Sequence, residues 1–174
     1  MDKNLVCDII IFGGHGDLAL RKLMPALYHL FDDKYLSSES RVITVSRDIF
    51  TQDEHIQIMK EALQKNLKNG FFDEEKFELF ASYLHYEKVD LLVEDEYEGL
   101  EKTLGAFNGR DRICYLSTSP VLYGDICKNL NSFSLINEQT RVVLEKPIGK
   151  SLETSQEIND EVSKYFDESA IFRI

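Results

Sequence analysis

Hydrophobic and polar positions change period repeatedly along this chain, and the change predicts strands and helices in turn. Short apolar runs typical of buried strands occupy residues 5–12, 41–46, 84–89, 112–117 and 141–145, and the closing AIFRI forms a sixth strand-like segment. Apolar residues spaced three or four apart predict helices at 17–36, 52–68, 74–84, 94–108, 120–132 and 152–166. This alternation predicts an α/β fold, a doubly wound parallel sheet (Rossmann-like) with helices on both faces.

Local signals indicate several helix boundaries. Thr51 and Glu54 have the spacing of a capping box, so a helix should begin near residue 52. Pro25 lies inside the first predicted helix and should kink it or restart it there. The pair Asn108-Gly109 is a helix stop signal, and the acidic run 94–98 is typical of a solvated helix start.

Length and cysteine content narrow the class of protein. The 174 residues suffice for one domain with its own core, which we predict over 1–174. No run approaches ~18 apolar residues, so no transmembrane helix is expected. Three cysteines, Cys7, Cys114 and Cys127, are too few and too odd in number for a disulfide framework, so we expect buried thiols in a cytoplasmic protein. Because the final apolar segment reaches no polar tail, we also expect the chain to be part of a larger protein.

The net charge of −11 argues against nucleic acid and against an anionic membrane as partners. The same charge gives no general attraction to a phosphorylated ligand. Such a ligand would depend on local groups, namely helix N-termini, backbone N–H groups and individual arginine or lysine side chains.

The stretch FGGHGDLA at 12–19 joins the first strand to the first helix. Its glycines fit the dinucleotide fingerprint in two registers, Gly14-x-Gly16-x-x-Ala19 and Gly13-x-x-Gly16-x-x-Ala19. Glycine permits the tight turn and lets a pyrophosphate approach the backbone, so we predict a dinucleotide site. The alternative is a glycine-rich turn without a ligand.

Two side chains of this loop carry chemistry of their own. Asp17 has the wrong charge to grip phosphate, so we expect it to cap the helix or to hold the loop. His15 points from the loop and contacts either a phosphate or no ligand at all.

The second predicted strand ends at Val45-Ser46-Arg47. An acidic residue at this place holds the ribose of NAD, whereas an arginine suits a 2′-phosphate, so Arg47 favours NADP. Asp48 beside it could accept from a ribose hydroxyl, which leaves some NAD use open. The alternative for Arg47 is a surface charge on a turn.

Four stretches in order resemble the glucose-6-phosphate dehydrogenase family. They are GGHGDLALRKLMPALYHL after the first strand, YLSTSP from Tyr115, EKPIG from Glu145, and the final IFRI. The resemblance extends from about residue 8 to residue 174.

The resemblance implies roles for particular residues. The implied cofactor contacts are Gly13, Gly14, His15, Gly16, Asp17 and Leu18 in the pyrophosphate loop, Arg47 at the 2′-phosphate, Asp90 and Leu91 at the adenine, and Tyr115, Ser117 and Thr118 at the nicotinamide. His15 departs from the small hydroxyl residue common in the family. Lys146 is implied to touch both the cofactor and the sugar phosphate, and Lys22 to lie near the substrate.

The EKPIG stretch also has an interpretation from the fold alone. Lys146 follows the fifth strand on the side of the sheet where ligands bind, and the alternative is a surface lysine paired with Glu145. The resemblance implies that Pro147 is a cis proline acting as a hinge.

For the full-length enzyme, the resemblance implies oxidation of glucose 6-phosphate to 6-phosphogluconolactone with NADP as hydride acceptor, in a homo-oligomer. The family's catalytic histidine belongs to a larger domain that follows. His29, His55 and His85 are expected to be structural or solvent-facing. We therefore predict no catalytic residue and no metal ligand in this chain, and cofactor binding without turnover.

Two alternative functions make different demands on the sequence. A short-chain reductase would need Tyr-x-x-x-Lys after the fourth strand, but Tyr123 is followed by Cys127 and then Lys128. A stand-alone nucleotide-sensing module without catalysis remains open, and a parent reading frame that continues past Ile174 would argue against it.

Overall fold

The computed structural model describes residues 6–68, 70–105 and 110–174. In these residues six strands form one sheet, with all pairs parallel, in the order β3-β2-β1-β4-β5-β6. The strands are β1 (Cys7–Phe12), β2 (Arg41–Ser46), β3 (Leu84–Lys88), β4 (Asp111–Leu116), β5 (Thr140–Leu144) and β6 (Ile171–Arg173). The predicted α/β fold and all six predicted strand segments are confirmed.

Six α-helices connect the strands of this described part of the chain. They are α1 (Met24–Asp32), α2 (Gln52–Asn66), α3 (Glu74–Ala81), α4 (Tyr97–Leu104), α5 (Tyr123–Ser132) and α6 (Leu152–Ser163). The capping box at the start of α2 is confirmed, because Thr51 Oγ1 accepts from the Glu54 N–H at 3.2 Å and the Glu54 carboxylate accepts from the Thr51 N–H at 2.8 Å. The helices α3 and α6 end a few residues earlier than predicted.

The first predicted helix is built from two kinds of turn. A π-helical turn, Ala19–Leu23, leads into α1, and Pro25 lies in the first turn of α1, where its missing N–H is not needed. The predicted extension to residue 36 is wrong. Lys34 takes a left-handed conformation (φ 60°), and the Tyr35 N–H donates to the Leu30 carbonyl at 2.9 Å, which is the long bond of a Schellman ending.

Most of the acidic run before α4 is exposed, as predicted for a solvated helix start, and the exception is Glu96. Glu94–Glu96 form a 3-10 turn in which the Glu96 carboxylate accepts from Lys88 and from the Asp90 N–H. This carboxylate therefore fastens the segment after β3. The stop predicted at Asn108-Gly109 lies outside the described residues.

The helices divide between the two faces of the sheet. Along β1, Ile10 and Phe12 pack with α4, α5 and α6, while Ile9 and Ile11 pack with α1, α2 and α3. The three cysteines are free and buried, as predicted. Within the described ranges no helix has both the length and the apolar character needed to cross a membrane. Apolar packing on both faces of the sheet fixes the carboxyl ends of the parallel strands along one edge.

Candidate cofactor-binding site

A cleft of about 470 Å³ opens at this carboxyl edge. It lies where the strand order reverses, with β2 on one side of β1 and β4 on the other, which is the usual ligand position in doubly wound sheets. Its lining consists of Gly13, His15, Gly16, Ser46, Arg47, Asp48, Val89, Asp90, Leu91, Leu92, Ser117, Thr118 and Leu122. The fold thereby gathers residues from four separate stretches of the chain.

The glycine loop is held against two strand ends. The N–H groups of Gly13 and Gly14 donate to the Val45 carbonyl at 2.9 and 3.1 Å, which ties the loop to β2. Gly13 has φ +80°, and a Cβ there would lie 2.4 Å from the Ser117 carbonyl oxygen after β4. The loop therefore needs glycine for both its dihedral and its close approach. The first N–H groups of the helix that follows lack intrahelical acceptors and can hold an anion.

Asp17 does not cap this helix. Its carboxylate is exposed and accepts from Arg21 at 3.1 Å, one helical turn later, and no side chain makes a capping bond at the helix start. The expectation of a cap is wrong because the Arg21 guanidinium competes for the carboxylate. Leu18, which begins the helix, is half-buried and, like Asp17 and Gly14, does not line the cleft.

Arg47 occupies the cleft wall directly after β2. Its side chain is exposed, and it has no hydrogen-bond or ion-pair partner among the described residues. The neighbouring turn is fixed, because the Tyr86 hydroxyl donates to the Asp48 carbonyl and lies 3.0 Å from Ser46 Oγ. An arginine without a partner on a fixed turn is available to an anionic ligand.

His15 turns toward the β2 and β3 ends. Its ring centroid lies 4.8 Å from that of Phe50, 5.1 Å from that of Tyr86 and 5.2 Å from that of His55. His15 Nε2 lies 3.1 Å from His55 Nδ1, and burial lowers the pKa of the His15 imidazole. His55 is fully buried, and this burial, with the charges of His15 and His85, lowers its pKa to about 3. Of the two expectations for His55, structural or solvent-facing, the structure supports the first, whereas no local pattern predicted the aromatic packing around His15.

Asp90 and Leu91 line the cleft beyond β3, on the side expected for the adenine. The Asp90 carboxylate accepts from the Leu92 N–H at 3.1 Å, which forms a tight turn and leaves Leu92 exposed. Ser117 and Thr118 line the opposite wall after β4. Ser117 Oγ is buried and has no hydrogen-bond partner among the described residues.

Three more predicted residues, besides Gly14, Asp17 and Leu18, lie outside the cleft lining of the described chain. The Tyr115 hydroxyl donates to the Glu145 carboxylate, and burial together with this carboxylate raises the pKa of Tyr115. Lys146 is exposed, precedes a cis Pro147, and donates from Nζ to the Arg173 carbonyl at 3.3 Å, so the alternative pairing with Glu145 is not formed. Lys22 is exposed on the π-helical turn.

The position of Tyr123 argues against the short-chain reductase alternative. This side chain is fully buried, and its hydroxyl faces the main-chain carbonyls of Leu116 at 3.2 Å and Glu145 at 3.4 Å. Tyr123 therefore joins the ends of β4 and β5 and is unavailable as an acid in a reductase.

Comparison with known proteins gives a consistent result. Residues 10–174 match the family described as "Glucose-6-phosphate dehydrogenase, NAD binding domain". The chain is 41% identical over 167 residues to glucose-6-phosphate 1-dehydrogenase of Rhizobium meliloti (strain 1021), covering 96% of this chain and 34% of the relative. It is 37% identical over 172 residues to that of Mycolicibacterium smegmatis (strain ATCC 700084 / mc(2)155), covering 97% and 35%. The chain thus spans about a third of the length of these relatives.

Solved structures agree with this comparison. The crystal structure of glucose-6-phosphate 1-dehydrogenase from Mycobacterium avium superposes with a TM-score of 0.87 at 30% identity, over 98% of this chain and 36% of that one. A structure of glucose-6-phosphate dehydrogenase in complex with its substrate glucose-6-phosphate gives 0.84 at 29% identity, again over 98% and 36%. With its nucleotide-type cleft, its glycine loop and these matches, the chain belongs to the glucose-6-phosphate dehydrogenase family and corresponds to the NAD binding domain of that family.

Proposed function

We propose that this chain is the NADP-binding domain of a glucose-6-phosphate dehydrogenase. The complete enzyme would oxidise D-glucose 6-phosphate to 6-phospho-D-glucono-1,5-lactone by transfer of a hydride to NADP. The observation that carries the cofactor choice is Arg47, an exposed arginine without a partner among the described residues, on the wall of the cleft beside the glycine loop. A guanidinium binds a phosphate through paired, charge-assisted hydrogen bonds.

The other cleft residues supply the remaining contacts in this proposal. Backbone N–H groups at the helix start hold the pyrophosphate, with the helix dipole favouring its charge. Asp90 and Leu91 form the wall against the adenine. Ser117, whose buried hydroxyl has no partner in the described chain, and Thr118 serve the nicotinamide half.

The substrate end of the site is incomplete in these residues. Lys146 and Lys22 are exposed cations that can hold a sugar phosphate as point charges. The Tyr115 hydroxyl is hydrogen-bonded to the Glu145 carboxylate at the strand ends beside Lys146. This pair would form the base of the cleft on the nicotinamide side.

We place the general base outside these 174 residues, since the chain spans about a third of its relatives. The histidines support this placement: His55 is buried with a pKa of about 3, and burial lowers the pKa values of His15 and His85. This domain contributes proximity, because it orients the acceptor carbon for the hydride while another part moves the proton. We also propose that the complete enzyme is a homo-oligomer in the reducing cytoplasm. The free thiols are consistent with that compartment.

Calorimetric titration with 2′,5′-ADP and with 5′-AMP tests the cofactor assignment. Both ligands need only the adenosine half of the cleft. If Arg47 holds the 2′-phosphate, 2′,5′-ADP should bind more tightly by about 1.5–3 kcal/mol, roughly ten- to a hundredfold. Arg47→Ala should abolish this preference. Lys102→Ala, which removes the same charge from an exposed position on α4, should retain it.

Equal affinity for the two ligands would contradict the assignment to NADP while leaving a nucleotide site. Failure of both ligands to bind would contradict the cofactor site itself. The same preparation should form no NADPH from glucose 6-phosphate and NADP, and turnover by the isolated chain would contradict the placement of the base elsewhere.

A further inference from the structure

A tyrosine behind the cleft wall contacts the turn that carries Arg47. Arg47 lies between Ser46, which ends β2, and Asp48, and all three residues line the cleft. Tyr86 lies on β3, and its hydroxyl donates to the Asp48 carbonyl. The same hydroxyl lies 3.0 Å from Ser46 Oγ and 3.3 Å from the Ser46 carbonyl oxygen. One oxygen atom therefore contacts both the residue before Arg47 and the residue after it.

The main chain is held differently on the two sides of Arg47. Before it, the Ser46 carbonyl accepts from the Val89 N–H at 2.8 Å, a bond that joins the end of β2 to the end of β3. After it, the chain leaves the sheet. Among the described residues, the Tyr86 hydroxyl makes the one hydrogen bond to the main chain of residues 47–50. Removal of this hydroxyl would therefore release the chain after Arg47, while the sheet would continue to hold the chain before it.

Aromatic neighbours fix the ring that carries the hydroxyl. The centroid of the Tyr86 ring lies 5.1 Å from that of His15, 5.4 Å from that of His55 and 5.7 Å from that of Phe50. Burial raises the pKa of Tyr86, so the hydroxyl keeps its proton at neutral pH and remains a donor. Tyr86 is half-buried and does not line the cleft. Its hydroxyl thus contacts the turn rather than the space in which a ligand would lie.

A fixed turn favours the binding of a phosphate by Arg47. The Arg47 side chain is exposed and makes no hydrogen bond or ion pair with any of the described residues, so a bound phosphate must order the whole side chain. A loose turn would add the entropy cost of ordering the main chain around it. The Tyr86 hydroxyl orders this main chain before the ligand arrives. The advantage is largest for a ligand with a 2′-phosphate, because 5′-AMP lacks the group that the guanidinium would bind.

We propose that Tyr86 is a positioning residue for cofactor choice, whose hydroxyl holds the turn from Ser46 to Asp48 so that Arg47 meets the 2′-phosphate in a preorganised geometry. This inference rests on the proposed function, in which Arg47 binds that phosphate. It adds the residue on which the selectivity of the arginine depends.

Calorimetric titration of Tyr86→Phe with 2′,5′-ADP and with 5′-AMP tests the role of the hydroxyl. The substitution keeps the ring and its aromatic contacts and removes one oxygen atom. Because the net contribution of one hydrogen bond limits the effect, the preference for 2′,5′-ADP over 5′-AMP should fall by about three- to tenfold. Tyr83→Phe is the matched control, since the Tyr83 ring packs against Phe31 and Phe80, and it should leave the preference unchanged.

A double-mutant cycle separates positioning from a general loss of structure. In the Arg47→Ala background, Tyr86→Phe should not change the ratio of the two affinities, because the group that the hydroxyl positions is gone. An equal ratio in wild type and Tyr86→Phe would overturn this inference and leave the cofactor site standing. A three- to tenfold loss that persists in the Arg47→Ala background would also overturn it, since the hydroxyl would then act through another contact.

Relaxation of ¹⁵N-labelled wild type provides a second readout that does not depend on the folding of a variant. Without ligand, the N–H groups of Asp48 and Ile49 should have order parameters of about 0.85, the value of rigid backbone. Values below about 0.6 would overturn this inference, because the turn would then not be fixed before binding. Absence of a preference for 2′,5′-ADP in wild type would overturn the proposed cofactor choice, and this inference with it.

Discussion

Asp8 is a charged residue in the middle of an otherwise apolar strand, and its replacement by asparagine tests how the opposite end of the sheet is held. Asp8 is fully buried. The register of β1 places Arg41 on one side of it and Arg112 on the other, and Arg110 reaches the same carboxylate from just before β4. Asp8→Asn keeps the size of the side chain and removes the one negative charge that these three arginines share.

The geometry makes the expected loss large. Arg41 binds both carboxylate oxygens at 2.8 Å, Arg110 donates to Oδ1 at 3.0 and 2.9 Å, and Arg112, itself 1% exposed, lies 3.7 Å away. Removal of one partner from a buried ion pair leaves the other charge uncompensated and costs about 3–5 kcal/mol. That is a large part of the roughly 5–15 kcal/mol by which domains are stable.

Urea unfolding followed by circular dichroism measures this loss. With an m-value of about 2 kcal/mol/M, the midpoint should fall by about 2 M. Asp17→Asn is the matched control, because its pair with Arg21 is exposed and should contribute about 1 kcal/mol or less. A loss below about 1 kcal/mol in Asp8→Asn would refute the reasoning, since the three guanidinium groups would then be stable without a counter-charge.

The pH dependence of this difference has a definite sign. Burial raises the pKa of Asp8, but the hydrogen bonds from Arg41 and Arg110 outweigh burial, and the pKa lies below its ordinary value. The contribution of the carboxylate is therefore complete above the unfolded pKa of about 3.9 and disappears only as the pH falls through the lower folded value. The difference between wild type and Asp8→Asn should stay constant from about pH 7 to about pH 4 and shrink below that.

Two further predictions concern residues at the cleft or packed behind it. Burial, with the charges of neighbouring histidines, lowers the pKa of His55 from 6.5 to about 3. Between these two values the unfolded chain binds more protons than the folded chain. The free energy of unfolding should therefore fall by about 1.4 kcal/mol per pH unit as the medium is acidified. In urea unfolding at several pH values His55→Gln should lose this slope and His29→Gln should keep it; an unchanged slope in His55→Gln would contradict the assignment. Gly13→Ala should destabilise the protein by about 1–3 kcal/mol and weaken nucleotide binding, because it combines a positive φ with a Cβ 2.4 Å from the Ser117 carbonyl oxygen. Gly70→Ala, with φ +86° and open space around the new atom, isolates the dihedral cost, and equal effects of the two substitutions on thermal unfolding would show that the contact with Ser117 is unimportant.

Much of the fold could be predicted because it depends on short-range patterns. The β2 bounds agree with the predicted 41–46 since the alternation from strand to turn is local. The capping box of Thr51 and Glu54 formed as predicted because both partners lie within one helical turn. The end of α1 at Lys34 was missed, since the left-handed residue there is a lysine and glycine is the usual signal.

The candidate site divides in the same way. The glycine loop and Arg47 could be placed from the sequence because the fold puts the ends of the first two strands beside each other. The packing of His15 against His55 and Tyr86 joins residues that only the sheet brings into contact, so no local pattern reports it. The same is true of Tyr115 and Glu145, which meet because parallel strands place their carboxyl ends at one edge.

The sequence by itself determined the succession of strands and helices, the side of the sheet on which a ligand binds, and the residue types able to hold a phosphate. These features follow from periodicity, glycine conformation and charge, which act within a few residues. Only the tertiary structure decided how Asp8 is neutralised and which rings pack around His15. Both depend on partners from distant strands, because an isolated charge or imidazole has no preferred partner until packing excludes water and fixes the neighbours.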